Sequence, residues 1–454
     1  MFKRKIDRSR LNQLIQDERN DFWASTSKSL DAYTNSKKVL IGGVPMSWMN
    51  KWVGGYPLFF QTALGSQVTD LDGNVYDDFC LGDTAAMAGH SNPVTVAAIN
   101  ERVGVQGGIS TMLPTLDAVV VGENLAQRFG VEKWQFTLSA TDANRSALRL
   151  ARQVTGRSKI LVFSYCYHGT VDETFITLVN GRPVSRSGNV GPSVDPTQTS
   201  VVCEFNDIQA VRDLLAKGDI AAILTEPALT NIGIVLPEQG FLKELEILAR
   251  QTGTLLIIDE THTFSAGYFG ASGLFDIKPD IVTIGKALAG GVPFGAYGVS
   301  DELASRISDQ KDADYVDTGG VGGTLAGNAL SLASARATLI GVFTQENFAR
   351  MIQLSTKFTE TVACVITEFD LEWNIVQLGA RAEYRFCSLP PRNGGESAQA
   401  QDEDLDVYMH LFALNRRVML TPFHNMTLIS PMTTNEQVDR HCDVFRDAVI
   451  NLIG

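Results

Sequence analysis

The stretch TGTLLIIDETHTFSAG, Thr252–Gly267, sets two carboxylates directly behind four apolar residues. Leu255, Leu256, Ile257 and Ile258 have the unbroken apolar character of a strand buried on both faces, the pattern of a parallel sheet. Such a strand ordinarily runs on into apolar residues or stops at a turn. This one delivers Asp259, Glu260, Thr261 and His262 instead. A carboxylate at the mouth of a buried sheet needs a partner, and the surrounding chain indicates which kind.

Working outward, short β-rich runs alternate with helical stretches from about residue 117 to 300. The runs are KILVFSY (159–165), IAAILTEP (220–227), LLIIDE (255–260) and DIVTIG (280–285). Strands alternating with helices imply right-handed crossovers and a mostly parallel sheet. The first forty residues read as helical, and IGGVPMSWMNKWVGGYPLFF (41–60) as a loop leading into strands. QVTDLDGNVYDDF (67–79) carries a hairpin signal at Asp72-Gly73. Beyond residue 328 come a long helical region, a short strand near 375–388, the polar insert PPRNGGESAQAQDED (390–404) and an amphipathic C-terminal helix. The expected organisation is α/β, with a large domain over 71–327 and a smaller α+β domain built from both chain ends, 1–70 and 328–454.

The 454 residues are 44% hydrophobic and 20% charged, as expected of a soluble globular protein. A formal charge of −13 disfavours nucleic acid and anionic membrane surfaces. The six cysteines are scattered, with no CxxC pair and no metal-ligand spacing, so no metal is expected and a reducing, cytoplasmic setting is. The charged N-terminus has no signal-peptide core, and no apolar run is long enough to span a bilayer.

In open α/β sheets ligands bind at the carboxyl ends of strands, and four features fall there. After WQFTL, the residues Ser139, Ala140 and Thr141 open a helix that Gly156 closes; this is an anion site or an ordinary N-cap. After KILVF, Tyr167 and His168 can stack on or bond a ligand, or simply pack. Asp259 can hold a positive charge on a ligand, worth about 4 kcal/mol at an effective dielectric of about 20 before desolvation, or it can cap a helix or form a buried salt bridge. Lys286 stands between apolar residues and the AGG turn, where a desolvated amine becomes a nucleophile for aldehydes. Together these offer an anion cradle, an aromatic platform, a carboxylate and an amine. Pyridoxal 5′-phosphate carries the matching phosphate, flat ring, pyridinium nitrogen and aldehyde. Asp259 would then keep the pyridine nitrogen protonated.

On these residues the chain resembles the fold-type I, class III aminotransferases, in the branch around glutamate-1-semialdehyde aminomutase and the β-amino-acid and amine transaminases. The landmarks run in order from GGVP (42–45), DLDGNVYDDF (70–79) and GHSNP (89–93) through SATDAN (139–144), CYHG (166–169) and EPALTNIGIVLP (226–237). They continue with LLIIDETHTF (255–264), PDIVTIGKALAGGVPFGAYG (279–298) and GGTLAGNAL (322–330). The resemblance implies that Lys286 bonds the cofactor aldehyde and later shuttles a proton, and that Asp259 pairs with the pyridinium. It implies Thr261 against one ring face, Tyr167 over the other, and His262 near the ring hydroxyl. Ser139, Ala140 and Thr141 would bind the phosphate together with Gly323 and Thr324 of the partner subunit in a homodimer, while His168 and Glu226 would lie at the cofactor.

Three departures mark this sequence. SATDA replaces the family's SGTEA, DETH replaces its usual DEV, and GGVPMSWM puts Met49 where the aminomutase has an arginine for the substrate carboxylate. The segment PMSWMNKW, with Trp48 and Met49, suits an apolar substituent, and Arg381 or Arg385 in LGARAEYRF is the expected carboxylate partner; His424 is a further candidate. The expected reaction is transfer of an amino group from an apolar amine, β-amino acid or aryl-alkyl or ω-amine to a keto acid or ketone by a ping-pong route. The alternatives are an aminomutase or racemase, and a protein of this fold kept for binding alone. A nicotinamide dehydrogenase is set aside, because no G-x-G-x-x-G follows a strand with an acidic residue about twenty positions on.

Overall fold

The computed structural model describes residues 6–309 and 322–454. The strand that opened the reading is the centre of a seven-stranded sheet. In chain order its strands are β1 (Lys133–Thr137), β2 (Lys159–Phe163), β3 (Ser200–Cys203), β4 (Ile220–Thr225), β5 (Leu255–Asp259), β6 (Ile281–Ile284) and β7 (Gly295–Val299). They lie side by side in the order β1-β7-β6-β5-β4-β2-β3. All run in one direction except β7, which is antiparallel to both its neighbours. Every residue of β4, β5 and β6 is buried, which is why those segments read as continuous apolar runs. Because β4, β5 and β6 are parallel, the residues just past them emerge along one edge. Those residues are Glu226, Asp259 at the end of β5 itself, and Lys286.

The crossovers are amphipathic helices. Phe241–Thr252 buries Leu242, Leu245, Leu248 and Ala249 and ends at Gly253 in the left-handed conformation, which turns the chain into β5. Ala140–Thr155, after β1, buries Ala143, Ala147, Leu150 and Ala151 and closes at left-handed Gly156.

The chain divides into two compact units, one formed by Pro93–Asn347 with Pro391–Gln399, the other by Met1–Asn92, Phe348–Pro390 and Ala400–Gly454. These boundaries differ from the expected 70/71 and 327/328. The first shift has its cause in the hairpin, whose strands Gln67–Asp70 and Val75–Asp78 share a sheet with Val418–Met419 and so stay with the C-terminal residues. The second follows from helix Ala329–Gly341, whose Thr338 bonds the Thr95 hydroxyl at 2.9 Å and whose Arg336 donates to Asp117 at 2.7 Å. The polar insert is split: Asn206 donates to the carbonyl of Arg392 at 2.7 Å and Ser397 to that of Ile232, which ties 391–399 to the larger unit.

In the smaller unit the single strand expected near 375–388 is a hairpin. Asn374–Leu378 and Arg381–Arg385 are antiparallel, turned by Gly379 at φ +61°, with Met426–Leu428 on the far side. Among the described residues no helix is long and apolar enough to cross a membrane.

Candidate active site

Asp259 ends β5 fully enclosed, with 3% of its surface exposed. Three groups hold its carboxylate. The Thr261 N–H donates to Oδ1 at 2.9 Å, and Asn144 Nδ2 and His168 Nδ1 lie 2.8 and 2.9 Å from Oδ2. Burial pushes the carboxyl up, but the hydrogen bond and charge of His168, with the bonds from Thr261 and Asn144, overcome it and hold the group below the usual range. Burial also works against a charge on His168. The Cys166 sulfur and the Asp259 carboxylate nevertheless carry that imidazole well above its ordinary value. The two directions agree: each partner favours the charged form of the other. His168 therefore stands behind Asp259.

Asn144 was not among the residues expected at the site. Besides Asp259 it donates to the His168 carbonyl at 3.0 Å and accepts from the Thr283 hydroxyl at 2.6 Å, so one side chain links the helix, the loop after β2 and strand β6 to the carboxylate. The available signal was a polar residue beside the alanines at 143 and 147, on the helix's buried side.

Ser139 caps the helix Ala140–Thr155, its hydroxyl accepting from Asp142 N–H at 3.2 Å and donating to the Asp142 carboxylate at 2.9 Å. The N–H groups of Ala140 and Thr141 belong to the first turn, where a helix supplies no acceptors of its own, and the dipole favours an anion there. Ala140 is helical, so replacing the family's glycine leaves the backbone donor in place. Two glycines crowd this turn from other segments: a Cβ on Gly285 would fall 2.8 Å from Ala140 N, and one on Gly169 2.0 Å from Thr141 Oγ1.

Lys286 opens the turn after β6 at φ +45°, and its Nζ lies 2.7 Å from His262 Nε2. His262 thus meets the amine. Thr261 is buried and its hydroxyl has no partner. Tyr167 is half-buried. Glu226 is buried after β4; Thr230 donates to one carboxylate oxygen and the other has no partner. Burial pushes its carboxyl up to about 7, against the nearby charge of His168 and the Thr230 bond. Gly323 and Thr324 are exposed. The donor set fits pyridoxal phosphate: free helix-start amides for a phosphate, an ionised buried carboxylate for a pyridinium, an amine for an aldehyde, and an unpartnered hydroxyl beside that carboxylate.

The residues expected on the substrate side lie in the smaller unit. Trp48 and Met49 line a cavity of about 520 Å³ with Met46, Trp52, Phe60 and Phe423. Trp48 meets Phe423 edge-on at 5.8 Å, and Lys51 Nζ lies 5.0 Å from the Phe423 ring. Arg381 and Arg385 share a strand and are both buried. Arg381 donates to the Thr84 hydroxyl at 2.6 Å. Between the two arginines, buried Glu383 lies 3.3 Å from His424 Nδ1. Among the described residues no group of three His, Cys, Asp or Glu side chains could hold a metal ion.

Residues 48–365 match the family model for Aminotransferase class-III. The glutamate-1-semialdehyde 2,1-aminomutase 2 of Halalkalibacterium halodurans is 33% identical over 93% of this chain and 97% of its own length. A crystal structure of a glutamate-1-semialdehyde-aminomutase from Pseudomonas aeruginosa PAO1 superposes with a TM-score of 0.94 at 42% identity, covering 98% of this chain and 99% of that one; a lysine-to-alanine variant of it, in complex with PMP, superposes equally well. The β-phenylalanine aminotransferase of Variovorax paradoxus superposes with a TM-score of 0.85 at 25% identity, over 96% of this chain and 97% of that one.

Proposed function

Because the chain belongs to the class III aminotransferases, with the fold-type I architecture and pyridoxal 5′-phosphate as cofactor, we propose that it moves an amino group from an apolar amine or amino acid to a keto acid or ketone. The observation that carries the choice of substrate is the aromatic and methionine-lined cavity around Trp48 and Met49, whose described lining includes no arginine. An aryl or alkyl substituent suits that apolar part of the lining.

When bound, the cofactor supplies an aldehyde to carry the amino group and a ring that takes up electrons. The protein's own residues do the rest. Lys286 is assigned as the amine that bonds the aldehyde and as the base at the carbon bearing the substrate amine. Asp259, kept ionised by His168, Asn144 and Thr261, balances a protonated ring nitrogen. Ala140 and Thr141 offer first-turn amides to the phosphate, with Gly323 and Thr324 assigned to the partner's site in a homodimer. Thr261 and Tyr167 are assigned to the two faces of the ring. Arg381 or Arg385 is assigned to a substrate carboxylate.

The relatives named above favour a second reading, an isomerase of the aminomutase type, which keeps the amino group on its substrate. A donor panel without acceptor separates the two. An aryl-alkyl amine, a β-amino acid, alanine and a diamino acid are each added to the purified protein while the visible band of the lysine-bound cofactor is followed. Bleaching by an apolar donor with release of its keto product, reversed by pyruvate, is the outcome expected of a transaminase. A band that only the diamino acid perturbs, without a keto product, points to the isomerase.

A further inference from the structure

His262 and Lys286 come from adjacent strand ends, and neither is loosely held. His262 heads the turn Thr263–Ala266, and its carbonyl accepts from the Ser265 N–H at 3.2 Å and the Ser265 hydroxyl at 2.8 Å. That turn is anchored by the buried Glu260 carboxylate, which accepts from the Thr263 hydroxyl at 2.6 Å, Ala271 N–H at 3.1 Å, Ser272 N–H at 2.6 Å and the Ser272 hydroxyl at 2.5 Å. Lys286 has φ +45°, in the left-handed region that side-chain-bearing residues avoid, and Gly285 before it is wedged against Ala140.

At 2.7 Å the two nitrogens are joined by one hydrogen, donated by one and accepted by the other. A lysine ammonium can only donate and a neutral imidazole nitrogen can accept, so with the amine charged the hydrogen runs from Nζ to Nε2. A hydrogen bond made to the charged form favours that form.

We propose that His262 is a positioning residue for Lys286, accepting a hydrogen bond from the lysine ammonium while Lys286 holds the proton taken from the substrate carbon that bears the amine. In that step a C–H bond breaks, its electron pair stays with carbon and an Nζ–H bond forms; on return of the proton the reverse occurs, and His262 is protonated in neither. The inference rests on the assignment of Lys286 made above. Among the described charged groups on the surrounding elements, Asp259 bonds His168 and Asn144, Glu260 holds its four donors, Thr230 donates to one oxygen of Glu226, and Arg336, on the helix packed against the Lys286 turn, bonds Asp117.

The test compares wild type with His262→Gln, which keeps an acceptor oxygen, and His262→Leu, which has none. In the cofactor-free full-length chain, Lys286 is labelled with an amine-directed acylating reagent across pH and read by mass spectrometry, with exposed Lys278 as internal reference. Losing the acceptor disfavours the ammonium, so His262→Leu should label faster at neutral pH, by roughly tenfold relative to Lys278, while His262→Gln stays near wild type. In the loaded enzyme the primary isotope effect with a donor deuterated at the amine-bearing carbon should grow in His262→Leu and return in His262→Gln. Unchanged labelling in the leucine variant overturns the proposal, as does a glutamine variant that behaves like the leucine one. Borohydride reduction of the wild type with bound cofactor is the separate control: failure to fix cofactor on Lys286 overturns the lysine assignment itself, whatever His262 does.

Discussion

At Asp259 burial and hydrogen bonding oppose one another, and the bonding prevails. Asp259→Asn removes the charge while keeping the side chain's shape. The expected result is a loss of several orders of magnitude in kcat/KM for the amine donor with the circular dichroism of the folded chain retained; near-normal turnover would show that another group serves the ring nitrogen. The partner makes a second prediction, on stability. Asp259 is held below its ordinary value, so its contribution is present above about pH 4 and fades as pH falls through the folded value. His168 is held above its ordinary value, so its contribution is complete below about pH 6.5 and declines as pH rises toward the folded value. The pair is worth most between those limits. The Tm difference between wild type and His168→Gln should therefore be largest near pH 5–6 and narrow steadily toward alkaline pH; a difference flat with pH would mean the imidazole is neutral in the fold. Asp259 and Lys286 were legible in the sequence because an ionisable residue directly behind an apolar run is anomalous without a partner. Asn144 was not, since its three partners come from segments 24, 115 and 139 residues away along the chain.

The helix Ala140–Thr155 shows what an element can and cannot disclose. Its start, apolar face and closing glycine follow from local rules of capping and periodicity, and they could be read directly. The crowding of its first turn could not, because Gly285 and Gly169 approach from the ends of two other segments. Gly285 has φ −154° and ψ −139°, outside the ordinary extended region, so Gly285→Ala adds backbone strain to the close approach. The added methyl would press on Ala140 N at 2.8 Å and push the first turn away from the place assigned to the phosphate. Faster loss of pyridoxal phosphate on dialysis, in a chain that still folds but melts at a lower Tm, is the expected outcome. Retention equal to wild type would move the phosphate site off this helix. The hairpin at 374–385 marks the same boundary of legibility: the left-handed turn at Gly379 needed only two intervening residues, too short a break to interrupt the apolar pattern.

For the whole molecule, the alternation of strands and helices was readable, whereas the lateral order of the sheet, the antiparallel β7 and the unit boundaries were decided by pairings between distant segments, such as Val75–Asp78 with Val418–Met419. The segment from 103 to 119 raises the remaining question. On the isolated chain Met112 is 87% exposed and Leu116 83%, with Val105, Ile109 and Leu113 exposed beside them. Apolar side chains concentrated in this way mark an interaction surface, and the occupant proposed here is a second copy of the chain. Fully burying one leucine is worth about 1.5–3 kcal/mol, and in a twofold interface each residue counts twice. Leu116→Glu places two carboxylates in that interface and should yield a monomer at micromolar concentration by light scattering, with its secondary structure intact. If Gly323 and Thr324 complete the partner's phosphate site, the same monomer should also lose pyridoxal phosphate more readily than wild type, and Thr324→Ala should reproduce that loss while remaining dimeric. A Leu116→Glu chain that stays dimeric and keeps its cofactor would place the interface on another surface and return Gly323 and Thr324 to an ordinary exposed loop.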